Sequence, residues 1–311
     1  MRLSGILATA TAVVFVLLLA LGVWLYSSTH AGDFARTEDV APGGTLHVDL
    51  ELGDVAIETH DESTVEIEAR SGGWPWHADF TLTREGANVR LEARSDTADG
   101  AIATAVEWLL WPFHLLQVDV RARVPRRFAA TVRSAGGDVD VEGLAGDTRV
   151  ETSGGRIDVE DVEGQVDAMT SGGRIEIAGV RGDVRAETSG GRIRIEDVRG
   201  SVVARTNGGS IDVREAGGSV AAETSGGRIS VHFAGSPSGN LETRGGRIEV
   251  RLPSDAGVSL EASTSGGRVE LDEDVSFEGE SRPEHVRGAV NGGGAPLRVR
   301  TSGGGIRIET D

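Results

Sequence analysis

Six arginines in the second half of the chain have the type and spacing expected of a binding surface. Each follows a Gly-Gly pair, and the most regular step between them is 18 residues: Arg156, Arg174, Arg192, Arg228, Arg247 and Arg268. Guanidinium groups bind carboxylates and phosphates through paired N–H donors, so a stacked column would suit an anionic glycan or a lipid phosphate. Acidic residues two positions further on offer the alternative of a solvated ion-pair ladder: Asp158, Glu176, Asp212, Glu249 and Glu270. The sequence leaves both interpretations open.

The chain has no residue pattern typical of an active site. It contains no cysteine, which excludes a disulfide framework, a thiolate zinc site and a cysteine nucleophile. Its seven histidines show no metal-binding spacing, and it has neither a G-x-S-x-G nor a Walker motif. We therefore predict no catalytic, metal-binding or cofactor-binding residues, and a protein that is not an enzyme. The remaining enzymatic alternative is a polysaccharide-cleaving β-helix, but the short turns of the repeats described below provide no evident cleft.

The charge balance argues against a nucleic-acid partner. The 311-residue chain has a net charge of -18, and all 31 of its basic residues are arginine. Non-specific binding to DNA or RNA depends on a basic stripe that neutralises phosphates. A chain with a pI near 4.8 is therefore not expected to bind nucleic acid.

The Gly-Gly pairs mark an internal repeat. They begin at Gly136, recur every 18 residues as far as Gly226, and continue with irregular spacing to Gly303. Apolar residues alternate with charged ones within each row, as at Ile157 and Val159, and this is the period of a β-strand. Each row holds two such strands, joined by turns where glycine would supply a positive φ. One row cannot bury a core alone, so we predict an all-β fold: a parallel β-solenoid (β-helix) with about 18 residues per coil.

Two other solenoids with coils of this length fit the rows poorly. A left-handed hexapeptide helix would need small aliphatic residues where Glu163 and Met169 stand. A calcium-binding nonapeptide roll would need Gly-Gly twice per row and an aspartate in the column that holds Arg194 and Ser230.

The sequence divides into three segments. Residues 1–30 form a membrane anchor or a signal peptide, residues 33–117 an irregular N-terminal β region, and residues 118–311 the regular solenoid. Within the last segment, residues 272–287 are expected to form an acidic loop.

Two aromatic insertions interrupt the N-terminal β region and carry Trp74, Trp76, Trp108 and Trp111. The second insertion is predicted to contain a short helix near residues 99–111 that ends at Pro112. A solenoid needs a cap on its open first coil, so we expect the insertions to supply it. The alternative is an exposed patch that contacts a membrane or a partner.

The N-terminal segment predicts where the protein resides. Residues 6–26 are strongly apolar and long enough to span a bilayer as a helix. Arg2 precedes this stretch and acidic residues follow it, so the positive-inside rule places the N-terminus in the cytoplasm and the solenoid outside, in the periplasm or beyond. We expect a single-pass protein of the cytoplasmic membrane. If the segment is instead a cleaved signal peptide, the protein is secreted.

The repeat rows resemble a known family. The T-S-G-G-R-I-x-V/I rows, the V-P-R-R strand at 124–127 and the closing N-G-G-G-x-P-L and T-S-G-G-x-I-x-I motifs are similar to those of the bacterial "putative adhesin" β-strand-repeat family, whose function is unknown. The similarity covers roughly residues 40–311. It implies a β-solenoid on a secreted or membrane-tethered protein and no catalytic set.

We therefore expect a non-enzymatic, exported cell-envelope β-solenoid that acts in adhesin-like surface interaction or as a structural scaffold. Its partners would be the membrane, through residues 6–26, and an envelope polysaccharide or protein. The alternative is a membrane-anchored envelope-stress sensor or regulator whose solenoid recognises a ligand.

Overall fold

The computed structural model describes residues 33–71, 77–96 and 118–311, which form 27 β-strands in two sheets of 13 and 14 strands. The described residues contain no helix, and most strand pairs in both sheets are parallel, so the predicted all-β solenoid is confirmed. Three predicted features lie outside these ranges: the apolar segment 6–26, the short helix near 99–111 and the four tryptophans. No helix that could cross a membrane occurs in the described part of the chain.

Sheet A holds one strand from each coil. Its strands are β1 (Asp33–Asp39), β3 (Asp54–His60), β4 (Thr64–Ser71), β7 (Val118–Pro125), β9 (Val139–Glu142), β11 (Ile157–Glu160), β13 (Ile175–Val180), β15 (Ile193–Val198), β17 (Ile211–Ala216), β19 (Ile229–Phe233), β21 (Ile248–Leu252), β23 (Val269–Leu271) and β27 (Ile306–Thr310).

Sheet B holds the second strand of each coil. Its strands are β2 (Thr45–Leu50), β5 (His77–Glu85), β6 (Asn88–Asp96), β8 (Ala129–Ser134), β10 (Thr148–Thr152), β12 (Val166–Thr170), β14 (Val184–Thr188), β16 (Val202–Thr206), β18 (Val220–Thr224), β20 (Gly239–Thr243), β22 (Val258–Thr264), β24 (Phe277–Arg282), β25 (His285–Val290) and β26 (Ala295–Thr301).

The core lies between the two sheets and follows the predicted alternation. Ile157, Ile175 and Ile193 stack in register in sheet A and are fully buried. Sheet B contributes smaller residues, such as Val184 and Ala186, to the same core. The residues between them point to solvent, so each coil buries one face of each of its strands and relies on its neighbours to cover the coil ends.

The Gly-Gly turns need glycine for a different reason from the one the sequence suggests. Gly155, Gly173 and Gly191, each the second of its pair, do not have a positive φ in the left-handed region. A Cβ on Gly173 or Gly191 would instead lie 1.7 Å from the carbonyl oxygen of the matching glycine in the preceding coil. The prediction of positive φ was wrong at these turns, because close stacking of the coils, and not the turn conformation, excludes a side chain.

A buried threonine hydroxyl joins each turn to the one before it. The Thr188 hydroxyl donates a hydrogen bond of 3.0 Å to the Gly173 carbonyl oxygen and accepts one of 3.2 Å from the Gly191 N–H. The same two bonds recur at Thr170, Thr206, Thr224 and Thr243. In the T-S-G-G turns the hydroxyl ladder is therefore made by the threonines, while Ser153 and Ser171 are exposed.

At both ends of the solenoid, chain order and stacking order differ. β3 lies between β7 and β9, so the coil of β2 and β3 sits directly against the first regular coil, and β7 lies outside it. At the other end, the last two strands, β26 and β27, lie between the coil of β20 and β21 and that of β22 and β23. The coil formed by β26 and β27 is thus inserted between two coils that precede it in the sequence.

Antiparallel strands close the ends of the sheets. β4 and β1 continue sheet A beyond β7, and β5 continues sheet B beyond β6. At the C-terminal end, β24 and β25 form an antiparallel hairpin beside β22. The acidic loop expected over 272–287 was therefore wrong for most of its length, since residues 277–282 and 285–290 are strands.

Candidate anion-binding face

The six candidate arginines lie along one edge of sheet A, each just before an inward-pointing residue. The backbone N–H of Ile157 donates to the Arg174 carbonyl, and the same bond recurs from coil to coil. These bonds give the order in space: Asp138, Arg156, Arg174, Arg192, Ser210, Arg228, Arg247, Gly305, Arg268. We call this set the arginine column. Gly305 separates Arg247 from Arg268 because β27 is inserted there, which the spacing along the sequence does not reveal.

Ion pairs occupy only part of the arginine column. Arg156 lies 3.1 Å from Asp140, 3.7 Å from Asp158 and 3.9 Å from Asp138. Arg174 approaches Glu176 at 4.0 Å, and Arg247 approaches Glu249 at 3.7 Å. Within the described residues, the other three arginines form no ion pair: Arg192, Arg228 and Arg268. The ladder interpretation fits the end near Arg156 and fails towards the middle of the column.

A nearly continuous ion-pair ladder runs instead along the outer face of sheet B. Arg149 pairs with Asp167 at 2.8 Å and also with Glu151, while Glu187 lies between Arg185 at 2.6 Å and Arg205 at 2.9 Å. Sequence analysis missed these residues. The signal was present, because the outward columns of the second strand change sign from row to row, as at 149, 167 and 185.

Carboxylates gather on sheet A beside Arg156. Burial raises the pKa of the Asp158 carboxyl above its ordinary value; Arg156 opposes this shift, and nearby acidic groups such as Glu160 add to it. Burial likewise raises the pKa of Asp140, again against the attraction of Arg156. Among the described residues, no group of histidines and carboxylates is arranged to hold a metal ion.

A groove of about 700 Å³ opens on the outer face of sheet A where the arginine column is interrupted. Arg192 and Arg228 border the groove on either side of Ser210. The Arg192 Nε–H donates to the Ser210 Oγ at 3.0 Å. Ser230 occupies a position in the groove that acidic residues hold in neighbouring coils. We call this the Ser210 groove; its small serines, where neighbouring coils carry longer side chains, create the space.

The groove walls carry charges that sequence analysis did not single out. Arg214 pairs with Asp212 at 3.2 Å, and Arg251 pairs with Glu309 at 3.0 Å. His232 lies 3.0 Å from the Asp311 carboxylate. Arg251 and Glu309 face each other only because β27 inserts beside β21, so the chain order alone could not place them together.

Three solved structures are similar to this chain at low sequence identity. A "putative adhesin" of Bacteroides fragilis is 12% identical, with 90% of this chain and 97% of that chain covered and a TM-score of 0.43. A "putative lipid binding protein" of Parabacteroides distasonis is 11% identical, with 90% and 97% covered and a TM-score of 0.46. A "putative adhesin" of Parabacteroides merdae is 11% identical, with 89% and 95% covered and a TM-score of 0.35.

No curated protein matches the chain. Residues 124–309 match the Toastrack DUF4097 domain, a domain of unknown function, and this match confirms the resemblance seen in the T-S-G-G rows. The matched residues span the regular coils, the Ser210 groove and the inserted β26 and β27. The chain belongs to the Toastrack DUF4097 family.

Proposed function

We propose that this protein is a non-enzymatic, exported component of the bacterial cell envelope, and that its solenoid binds an envelope ligand in an adhesin-like role. The observation that carries the proposal is the contrast between the two outer faces. In the regular coils of sheet B, Arg149, Arg185 and Arg205 pair with carboxylates of the same sheet. Arg192 and Arg228 on sheet A form no ion pair within the described part of the chain. Exposed arginines without carboxylate partners are suited to an external anion.

The inward-facing groups support binding over catalysis. The turn threonines use their hydroxyls for hydrogen bonds between coils, and the inward side chains of the regular coils are mainly aliphatic. The polar groups that remain available to bind a ligand are therefore the charged side chains on the outward faces of the two sheets. Such faces present a ligand surface without an enclosed cleft.

Export and anchoring through residues 6–26 are part of the proposal. A reporter enzyme that works only outside the cytoplasm, fused after Asp311, is expected to be active. The protein is expected to stay with membranes after a carbonate wash. Recovery of a soluble form that begins near residue 32 would reject the anchor and keep the export, and an inactive external reporter would reject the export.

Binding to the envelope is tested separately. The purified full-length chain, in detergent that shields residues 6–26, is mixed with cell envelopes from which detergent has already extracted the membranes. We expect it to sediment with them at low salt and to be released as salt screens its charges. If the chain does not sediment with envelopes even at low ionic strength, the proposed role is wrong.

A further inference from the structure

The Ser210 groove has the properties of a discrete site within the arginine column. Its position is set by two small residues, Ser210 and Ser230, in outward columns that elsewhere hold mainly arginine or acidic side chains. Because serine is shorter than the arginine or acidic residues at the same positions of neighbouring coils, a depression forms between those coils. The result is a volume of about 700 Å³, within the range of roughly 300–1,000 Å³ typical of ligand pockets.

Three hydrogen-bond donors border the gap. Arg192 and Arg228 lie one coil to either side of Ser210, and coils stack about 4.8 Å apart. Because the Ser210 Oγ accepts from Arg192, its own O–H is left to donate outward. A carboxylate or sulfate between the two guanidinium groups would meet donors from both arginines and from this hydroxyl.

The carboxylates of the groove wall are neutralised by other arginines. Asp212 pairs with Arg214, and Glu309 pairs with Arg251. Glu249 lies 3.7 Å from Arg247. The carboxylates of the groove wall therefore do not neutralise Arg192 and Arg228. The groove keeps a local positive charge although the whole chain is strongly acidic.

The other lining groups favour a ligand rich in hydroxyl groups. Ser230, His232 and Glu249 offer both donors and acceptors for hydrogen bonds. The apolar residues that line the groove, Ile211, Val231 and Val250, are buried under the backbone and present no surface to an acyl chain.

We propose that the Ser210 groove binds an acidic saccharide, with its carboxylate or sulfate held between Arg192 and Arg228 and its hydroxyl groups against the groove wall. This inference rests on the proposed function and names the ligand class of that face.

The test measures binding of the purified full-length chain, in detergent, to oligogalacturonate and to a neutral oligosaccharide of the same length. The wild type is expected to bind the acidic probe, to weaken as salt is added, and to leave the neutral probe unbound. A sulfated oligosaccharide identifies which anion the site prefers.

Ser210→Arg gives the sharpest variant. Arginine already stands in this column in the neighbouring coils, so the fold is expected to tolerate it. The new side chain fills the gap, so we expect binding to weaken at least about tenfold, although the variant gains a positive charge. This is the effect of losing one or two charge-assisted hydrogen bonds.

Arg192→Ser combined with Arg228→Ser is expected to lose binding to a similar extent. Arg174→Ser, in the same column outside the groove, is the matched control and is expected to bind within about twofold of the wild type.

Stronger binding by Ser210→Arg would show general attraction to a positive strip and would overturn the site. No binding of acidic saccharide by a wild type that still sediments with envelopes would overturn this inference and leave the proposed function standing. Binding to phosphatidylglycerol vesicles with the same sensitivity to Ser210→Arg, and no binding of saccharide, would identify a lipid headgroup and overturn the ligand class. Thermal unfolding of each variant verifies that the fold is retained.

Discussion

At the scale of single residues, two carboxylates on opposite faces of the solenoid should respond to pH with opposite sign. The pKa of Asp158 is raised, chiefly by burial, so its charged form costs stability above that pKa, and the cost disappears as pH falls below its ordinary value of 3.8. The pKa of Glu151 is lowered, chiefly by its hydrogen bond from Arg149. Its stabilising contribution is therefore complete above its ordinary value of 4.5 and is lost as pH falls through the lowered pKa.

We expect Asp158→Asn to increase the free energy of unfolding at pH 7 and Glu151→Gln to decrease it. Both differences should shrink towards acid pH, because the wild-type carboxyls become neutral there. Urea unfolding measured between pH 7 and pH 3 tests this. A destabilised Asp158→Asn at pH 7 would mean that the attraction of Arg156 outweighs burial.

The threonine hydroxyls make a second prediction at this scale. Thr188→Val keeps the shape of the side chain but leaves the Gly191 N–H and the Gly173 carbonyl without their partner. We expect a loss of about 1–3 kcal/mol. Thr188→Ser is the matched control, since Ser134 in an earlier coil also donates to a glycine carbonyl, that of Gly53, and accepts from a turn N–H, that of Gly136. A Thr188→Val variant as stable as the wild type beside a destabilised Thr188→Ser, measured by urea unfolding, would show that the methyl group matters and the hydroxyl does not.

At the scale of strands and turns, the two glycines of one pair should differ sharply. A Cβ on Gly190 would meet no atom closer than 4.0 Å, whereas a Cβ on Gly191 would lie 1.7 Å from the Gly173 carbonyl oxygen. We expect Gly190→Ala to change stability by less than about 0.5 kcal/mol. Gly191→Ala must separate two coils and should cost several kcal/mol or prevent folding. Similar melting temperatures for the two variants would contradict the close stacking of the coils.

The sequence predicts the regular elements well because each physical signal is local. Alternation at Ile157 and Val159 is enough to predict a strand and its buried face, and the constant step predicts how one regular coil stacks on the next. The ends escape prediction, because nothing in the order of the chain indicates that β27 will pair with both β21 and β23. Strand pairing at the ends depends on competition between distant segments, and the 18-residue repeat does not indicate which of them pair.

The candidate site was predicted in part for the same reason. The arginine column follows from the period, so its members could be named from sequence. The groove could not be predicted from the period alone. In the sequence, Ser210 looks only like a departure from the arginine found at this position in neighbouring rows. Arg251 meets Glu309 only because β27 inserts beside β21.

At the scale of the whole molecule, the proposed function assigns recognition to sheet A and leaves sheet B a stabilising role. Sheet B carries ion pairs across β10, β12, β14 and β16, and these add modest stability, since exposed ion pairs contribute about 1 kcal/mol or less. On sheet A, Arg156 pairs with carboxylates near Asp138, whereas Arg192 and Arg228 form no ion pair among the described residues. The end strands add charged, exposed edges, such as β1 and β24, that discourage strand addition by other chains.

The most direct test of this division compares two double variants that remove the same charge from opposite faces. Arg192→Ser with Arg228→Ser removes from sheet A two arginines that form no ion pair among the described residues. Arg185→Ser with Arg205→Ser removes two ion-paired arginines from sheet B. The measurement, made in detergent, is the fraction of full-length chain that sediments with membrane-extracted cell envelopes as a function of salt. We expect the sheet A variant to be lost from the pellet at low salt and the sheet B variant to sediment like the wild type. Equal loss from both, or loss from the sheet B variant alone, would contradict this division.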